Sequence, residues 1–561
     1  DTEGLTTAWD FAGDPNDDSA TNNYWSIDGS NNSGYPWLTW EGYSAATNSW
    51  DGSESTDFMD KDNWTLGIVP NTLNNITVSS GGNQPLIGAS QSITINNLTV
   101  NSGASLIIDS DASNCGSLIV NGTSSGDVTY QLYLTGGTKW HLIVPPVSGQ
   151  SINDFVTSGS NSIATNDDKY GLGYYNEETD TWTNFTTTTA PSAGNMVACT
   201  GFEVLRTSDG KVSITGTVPT SEKGTSIIKA ANGWNLIGNP FPSAVCLNSN
   251  ADGTNNFITY NTDVLDDAYV SIYLWNPASS QFEIVNHSSG ATYIPPCQAF
   301  FVKSKDVEGA ISFPITHRTH QTGAGFKSME STTPEIILTA KSEEESFSTN
   351  IKYIEGTSLG LDPGYDAGMY AESASEIKLY SRLLESHDVK FGLQCLPDDN
   401  YENMIIPLGI ELETDKELTI TAQSMNIPED LNIYLEDREN DSFIRLNNSE
   451  EALTIQLQAG NYENRFYLQT SIQFLGEDEI INTVDTEYHF IPNPDNSSIR
   501  IIGKVEKDAK LVLIDMTGKI LFQTLLNNNN EISVPELKTG IYIVRLVNNK
   551  NSVSQKINWI L

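Results

Sequence analysis

Apolar and polar residues alternate along most of the chain. Short runs with a period of two, such as 75–78, 93–95 and 98–100, are bounded by turn dipeptides such as Asn232-Gly233. A helical spacing of apolar residues is scarce. Only 375–386 leaves a choice between a turn or two of helix and a plain connection. The pattern predicts an all-β protein.

The chain is too long for one hydrophobic core, because cores stop growing at about 250 to 300 residues and this sequence has 561. We predict tandem β-sandwich and short β-solenoid modules. Their predicted boundaries are 1–45, 46–130 (a short solenoid or a sandwich), 131–315, a Gly-, Ser- and Thr-rich linker at 316–334, a β-sandwich at 335–475, and a small Ig-like β-sandwich at 476–561.

The segment 131–315 contains an internal repeat. Four blocks recur in the same order, namely 140–143 with 234–237, 145–146 with 240–242, 175–182 with 275–282, and 199–204 with 297–302. We predict two related β units that place Trp140 and Trp234 in the core and Cys199 and Cys297 at equivalent strand starts. The 233–240 signature resembles a cassette of large exported proteins of Bacteroidetes.

Charge excludes some classes of partner. The chain has 29 Lys and Arg against 71 Asp and Glu, a net charge of -42, spread along its length. Such a field repels nucleic acid and anionic membranes. No run approaches the 18 to 20 or so apolar residues of a membrane helix. The first residues have no basic and apolar signal pattern, so we expect any signal peptide to lie upstream or to have been removed.

Five cysteines, at 115, 199, 246, 297 and 395, form no CxxC pair and no metal-ligand spacing. We predict small buried hydrophobic residues, with a single disulfide as the alternative.

Aromatic residues crowd the first 45 positions, with Trp9-Asp10-Phe11, Trp25-Ser26-Ile27 and Tyr35-Pro36-Trp37-Leu38. Their order resembles the end of a GLUG-type repeat of bacterial surface adhesins. The resemblance implies that this segment ends a longer repeat array.

The last segment carries the most specific motifs. A Pro-Asn-Pro opening, an Asp-x-x-Gly-Lys turn, a Leu-x-x-Gly-x-Tyr hairpin and a lysine in the final strand occur in order. The residues are Pro492, Asn493, Pro494, Asp515, Gly518, Lys519, Leu537, Gly540, Tyr542 and Lys556. They resemble the type A C-terminal sorting domain of the type IX secretion system. If Gly540 needs a positive φ, a valine there would disturb this hairpin.

The resemblance implies partners and a location. In that family the domain is bound by the outer-membrane translocon and a β-barrel shuttle, and is cleaved as the cargo is anchored to surface lipopolysaccharide. The expected location is therefore secreted, at the outer-membrane cell surface. The single lysine of the last strand departs from the basic close that is common in the family.

No catalytic motif is present, and we predict no enzyme activity and no cofactor. The six histidines are scattered, and His317 with His320 is interpreted as a solvated pair rather than a metal site. Asp14 to Asp18, and Asp362 with Asp366, are oxygen-rich and are the candidates for calcium.

Two functional classes remain open. The first is the C-terminal region of an adhesin-like cell-surface protein with an unknown adhesion ligand. The second is the non-catalytic end of a secreted hydrolase whose catalytic domain lies upstream. The repeat-like first segment favours the adhesin.

Overall fold

The computed structural model is nearly all β, with 44 strands and two short α-helices among the residues it describes, which confirms the predicted fold class. Those residues are 25–26, 37–38, 47–279, 281–321, 333–370, 375–384, 389–398, 404–428, 431–448, 451–471, 489–494, 496–502, 509–515, 520–526, 530–535, 537–547 and 552–559. Within them, no helix has the length and apolar character needed to cross a membrane.

The chain divides into two compact units. The first comprises Asp1–Thr332 and Pro363–Ser373, and the second comprises Thr333–Asp362 and Ala374–Leu561. At the start of the first unit, β1 (Trp25–Ser26) pairs antiparallel with β2 (Trp37–Leu38). The rest of the GLUG-like segment, including Asp14 to Asp18, lies outside the described residues.

Short parallel strands form a β-solenoid at the start of the first unit, which is one of the two alternatives considered for this region. They are β3 (Thr47–Trp50), β4 (Asn75–Val78), β5 (Leu86–Ile87), β6 (Ser92–Ile95), β7 (Leu98–Val100), β8 (Ile107–Asp109), β9 (Ser117–Val120) and β10 (Ser124–Ser125). Strands of successive coils stack in three rows, β3-β4-β7-β10, β5-β8 and β6-β9. Alternate residues, such as Ile93 and Ile95, point into the core.

Three aromatic residues close the first coil. Trp64 packs edge-on against Trp50 and Phe58, with ring centroids 5.0 and 4.8 Å apart. All three are buried, and both indole N–H groups donate to backbone carbonyls. This cluster is part of the apolar core of the first unit.

Two similar sets of elements follow the solenoid. The first set is β11 (Val128–Leu134), β12 (His141–Ile143), α1 (Ile152–Thr157), β13 (Thr165–Asn166), β14 (Lys169–Asn176), β15 (Thr181–Thr186), β16 (Phe202–Val204) and β17 (Gly210–Gly216). The second set is β18 (Lys223–Ile228), β19 (Trp234–Gly238), β20 (Ala244–Cys246), α2 (Phe257–Asn261), β21 (Ile272–Asn276), β22 (Gln281–Val285), β23 (Tyr293–Ile294), β24 (Ala299–Lys303) and β25 (Glu308–Phe313). We call them the first and second repeats.

The strands of both repeats are paired in the same way. The first repeat has the order β12-β16-β14-β15, and the second has β19-β24-β21-β22. The flanking pair β11 with β17 corresponds to β18 with β25. The Tyr175 and Trp182 pair across β14 and β15 matches Trp275 and Phe282 across β21 and β22.

The two repeats are joined by reciprocal hydrogen bonds at Cys199 and Cys297. Both cysteines have a left-handed backbone, with φ of 63° and 64°. The Gly238 amide donates to the Cys199 carbonyl, and the Val144 amide donates to the Cys297 carbonyl, each at 3.0 Å. Each cysteine side chain packs in the core of the opposite repeat. The repeats therefore depend on each other for their cores.

The structure corrects three expectations for the first unit. Trp140 lies before β12 and is half-buried, whereas Trp234 is in the core, because only Trp234 starts a strand at this position. The beginning of the predicted linker is folded, since β26 (Arg318–Thr319) pairs with β20. His317 is buried, and the His320 ring lies 2.7 Å from two solenoid hydroxyls, so the solvated-pair interpretation was wrong.

A further short strand, β29, spans Ala367–Gly368.

A large sheet builds the first part of the second unit. Its strands are β27 (Glu335–Lys341), β28 (Ser346–Tyr353), β30 (Ile377–Ser381), β31 (Phe391–Leu396), β32 (Ile405–Leu412), β33 (Lys416–Met425), β34 (Asn432–Asp437), β35 (Ser442–Arg445), β36 (Leu453–Leu457) and β37 (Gly460–Ser471). They run in the order β35-β34-β37-β32-β30-β31-β28-β27-β33-β36 around one apolar core. Residues 377–381 are a strand, so the helix option for 375–386 was wrong.

Seven strands form a separate small sandwich at the C-terminal end. They are β38 (His489–Asn493), β39 (Ser498–Ile502), β40 (Lys510–Asp515), β41 (Ile520–Leu525), β42 (Glu531–Ser533), β43 (Gly540–Val547) and β44 (Ser552–Trp559). One sheet has the order β38-β39-β42 and the other β41-β40-β43-β44. Their inner faces enclose a core that includes Leu511, Val544 and Trp559.

Candidate functional site

The small C-terminal sandwich contains the motif residues that the sequence singled out. Its two sheets are linked at one edge by the Gln555 side chain. The Phe490 amide donates to Gln555 Oε1 at 2.8 Å, and Gln555 Nε2 donates to the Phe490 carbonyl at 3.4 Å. Since Phe490 and Trp559 are also buried together, the sandwich has its own closed core.

The opening motif lies on an edge strand. Pro492 pairs with Ile499, and Asn493 pairs with Ser498 across the turn that includes Pro494. A proline has no N–H to donate, so it is tolerated on an edge strand such as β38. The Asn493 side chain accepts the Asn496 amide at 3.4 Å. These residues shape the first hairpin of the sandwich.

The two other motifs meet on the four-stranded sheet. Asp515 is the cross-strand partner of Tyr542, which in turn is opposite Ile557. The Tyr542 hydroxyl donates to the Lys538 carbonyl at 2.9 Å and ties β43 to the segment before it. The structure thus brings the Asp and Tyr motifs together, although Gly518 and Lys519 lie outside the described residues.

Gly540 does not need the conformation that we considered for it. It has no positive φ, and a Cβ at this position would meet only Tyr542 atoms and the Lys538 carbonyl, at ordinary contact distances of 3.7 to 3.8 Å. The expectation of a strained glycine hairpin was therefore wrong, because Gly540 is already the first residue of a regular strand opposite Trp559.

The remaining motif residues divide between core and surface. Leu537 is buried, and Lys556 is exposed opposite Ile543. Three large apolar side chains of this sandwich are also exposed, namely Ile520, Leu525 and Ile541. They lie on two strands, β41 and β43, between which β40 is paired.

The calcium candidates are not gathered into a site by the described residues. Asp362 accepts the Ser358 amide at 2.6 Å and the Ser358 hydroxyl at 3.0 Å. Asp366 is fully buried and has its own partners. In the described part of the chain, no three His, Cys, Asp or Glu side chains come close enough to share a metal ion.

The five cysteines are free thiols. Burial raises the pKa of the Cys199 thiol to about 12 and that of the Cys246 thiol to about 11. Such thiols are poor nucleophiles near neutral pH. The sequence indicated buried cysteines. Apart from the repeated block, no sequence pattern predicted the reciprocal backbone hydrogen bonds at Cys199 and Cys297.

Comparisons with known proteins match most of the chain to two families. Residues 145–470, more than half of the chain, match a family described as a domain of unknown function (DUF8693), and residues 489–559 match the secretion system C-terminal sorting domain. No curated protein matches. One solved structure, a biofilm associated protein BSP domain, aligns at 8% identity with a TM-score of 0.16, covering 76% of this chain and 91% of that chain.

Proposed function

We propose that this chain, which belongs to the DUF8693 family, is part of a non-catalytic, adhesin-like protein of the cell surface. One observation carries the export part of the proposal. The match to the sorting domain at 489–559 coincides with a seven-stranded sandwich that has its own core and indicates a substrate of type IX secretion. The chain thus combines an export signal with extended β scaffolds.

The proposed partners are the type IX translocon and its outer-membrane β-barrel shuttle, followed by anchoring to surface lipopolysaccharide. Two features support recognition through the C-terminal sandwich. The hairpins are held by side-chain bonds such as Tyr542 to Lys538. The apolar side chains of Ile541 and Leu525 remain exposed for a partner.

Removal of residues 488–561 in the producing cell tests the export step. The cut falls between β37, which ends at Ser471, and β38, which begins at His489. We expect the truncated protein to stay in the periplasm, shielded from protease added to intact cells. The full chain carrying Glu178→Gln, an exposed position outside this sandwich, is the matched control and should reach the surface. Surface exposure of the truncated protein would overturn the assignment.

The adhesin part of the proposal rests on the GLUG-like first segment and on an origin in Bacteroidetes, as the 233–240 signature suggests. The upstream reading frame tests it directly. We expect further GLUG-type repeats before residue 1. A catalytic domain at that place would favour the secreted hydrolase instead.

A further inference from the structure

A cleft of about 370 Å³ lies where the two repeats meet. The first repeat contributes β11 and β12, and the second contributes the β21–β22 hairpin and the segment 296–298. The volume is within the range of about 300 to 1,000 Å³ that small-molecule sites occupy.

One wall of the cleft is an oriented aromatic ring. Trp275 Nε1 donates to the Trp140 carbonyl at 2.9 Å, and the indole packs on Phe282 with centroids 5.1 Å apart. Leu142 and Leu274 add aliphatic surface beside it. The hydrogen bond and the ring packing hold the Trp275 indole in one orientation.

His141 lines the cleft and has one ring nitrogen that can accept a hydrogen bond. Burial lowers the pKa of its imidazole, which favours the neutral ring. Its Nε2 lies 2.9 Å from the Thr135 carbonyl, and because a carbonyl only accepts, Nε2 must carry the proton. Nδ1 is then an acceptor.

Two more side chains leave acceptors for a ligand. Glu283 Oε1 accepts the Asn276 amide at 2.6 Å, and Gln298 Nε2 donates to the Ala299 carbonyl at 2.6 Å. In the described part of the chain, the second Glu283 oxygen and Gln298 Oε1 have no hydrogen bond. The cleft therefore combines an apolar face with at least three acceptors.

The equivalent place on the other side of the repeat junction is filled. Glu177 occupies the position that corresponds to Pro277, and its buried carboxylate accepts the Ala230, Ala231 and Gly233 amides at 2.7 to 2.9 Å. The fold can thus close this space with one side chain. The side with Pro277 has no such carboxylate, so the two sides of the repeat junction differ in chemistry.

We propose that the open cleft binds a neutral pyranose sugar. Such a ring has a face of C–H groups that packs on an indole, and its hydroxyls donate to acceptors like those of His141, Glu283 and Gln298. An anionic ligand is disfavoured by the Glu283 carboxylate and by the net charge of -42. Sugar binding rests on the adhesin function proposed above and deepens it, because it supplies a class of ligand.

Binding is tested on the purified chain by saturation-transfer NMR and calorimetry. The probes are methyl glycosides of glucose, galactose, mannose and fucose, and N-acetylglucosamine. Glu283→Gln replaces one acceptor oxygen by a donor and keeps the size of the side chain. We expect at least one probe to bind, and this variant to lose about tenfold or more in affinity, since a hydrogen bond to a charged group contributes about 1.5 to 3 kcal/mol.

The matched control is Glu178→Gln, the same substitution at an exposed position after β14 of the first repeat. It should bind as the native chain does. Trp275→Phe, which keeps an aromatic face, should weaken binding less than Trp275→Ala. Three results would overturn the inference. None of the sugar probes binds, or Glu178→Gln loses as much affinity as Glu283→Gln, or the small amine butylamine binds and the sugars do not. These results are independent of export, which is measured in cells.

Discussion

Glu203 is a half-buried carboxylate in the first repeat that should make the stability of this repeat depend on pH. It lies on β16 opposite Leu142, and Asn184 Nδ2 donates to it at 3.2 Å. Gly173 makes room for it, since a Cβ there would lie 2.6 Å from Glu203 Oε1. Burial is the main cause that raises the pKa of this carboxyl from 4.5 to about 7.

The sign of the effect follows from the raised pKa. The folded state holds the proton more tightly than the unfolded chain, so the stabilisation is complete below about pH 4.5. It is lost as the pH rises towards 7 and stays lost above that. The rise of the Glu203 pKa from 4.5 to about 7 corresponds to a loss of about 3 kcal/mol in the free energy of opening at high pH. Glu203→Gln has no ionisation and should avoid this loss.

Native-state hydrogen exchange of the β14 and β16 amides is the suitable assay, because a chain with several cores does not unfold in one step. We expect Glu203→Gln to match the native chain near pH 4.5 and to raise the free energy of opening by about 3 kcal/mol at pH 8. The exposed Glu178→Gln should show no such trend. A difference between Glu203→Gln and the native chain that does not change with pH would refute the reasoning.

Three further predictions concern other parts of the chain. Glu177→Ala should lower the free energy of opening of the 230–233 loop by about 2 to 4 kcal/mol in hydrogen exchange, because it leaves three amides unpaired; an unchanged value would show that water replaces the carboxylate. Gly540→Val should change the free energy of unfolding by less than about 0.5 kcal/mol and leave export intact, because a Cβ at this position meets its neighbours at ordinary contact distances. A loss of export would mean that the partner binds the backbone at Gly540 directly. Cys199, whose pKa of about 12 leaves roughly one thiol in 10⁴ ionised at pH 8, should react with a thiol reagent only after denaturation; rapid labelling of the native chain would contradict its burial.

Much of the fold was visible in the sequence, because strand periodicity is a local property. The alternation at 93–95 and 98–100 predicted strands of a solenoid or of a sandwich edge, and three of the four repeated blocks contain strands with the same pairing in both repeats. The motifs at 490–561 likewise predicted the small sandwich. In each case the apolar side chains that form the core recur at regular intervals.

Other features depend on contacts between distant residues, which no local pattern encodes. His320 lies in a polar, Gly- and Thr-rich stretch, yet its ring contacts Thr94 and Ser117 of the solenoid. The open cleft is lined by Pro277, whereas Glu177 at the equivalent position of the other repeat binds the 230–233 loop. The two residue types can be compared in the repeated blocks, but the amides that Glu177 binds are more distant in sequence, such as Ala230 at 53 positions.

The export function is tested most directly by transfer. Residues 476–561 are fused to a fluorescent protein that carries a periplasmic signal, and the fusion is expressed in a type IX-competent host and in the same host without the translocon. We predict surface fluorescence, accessible to added protease, in the first host and periplasmic fluorescence in the second. Equal surface display in both hosts, or periplasmic retention in both, would contradict the assignment of this sandwich as the sorting signal.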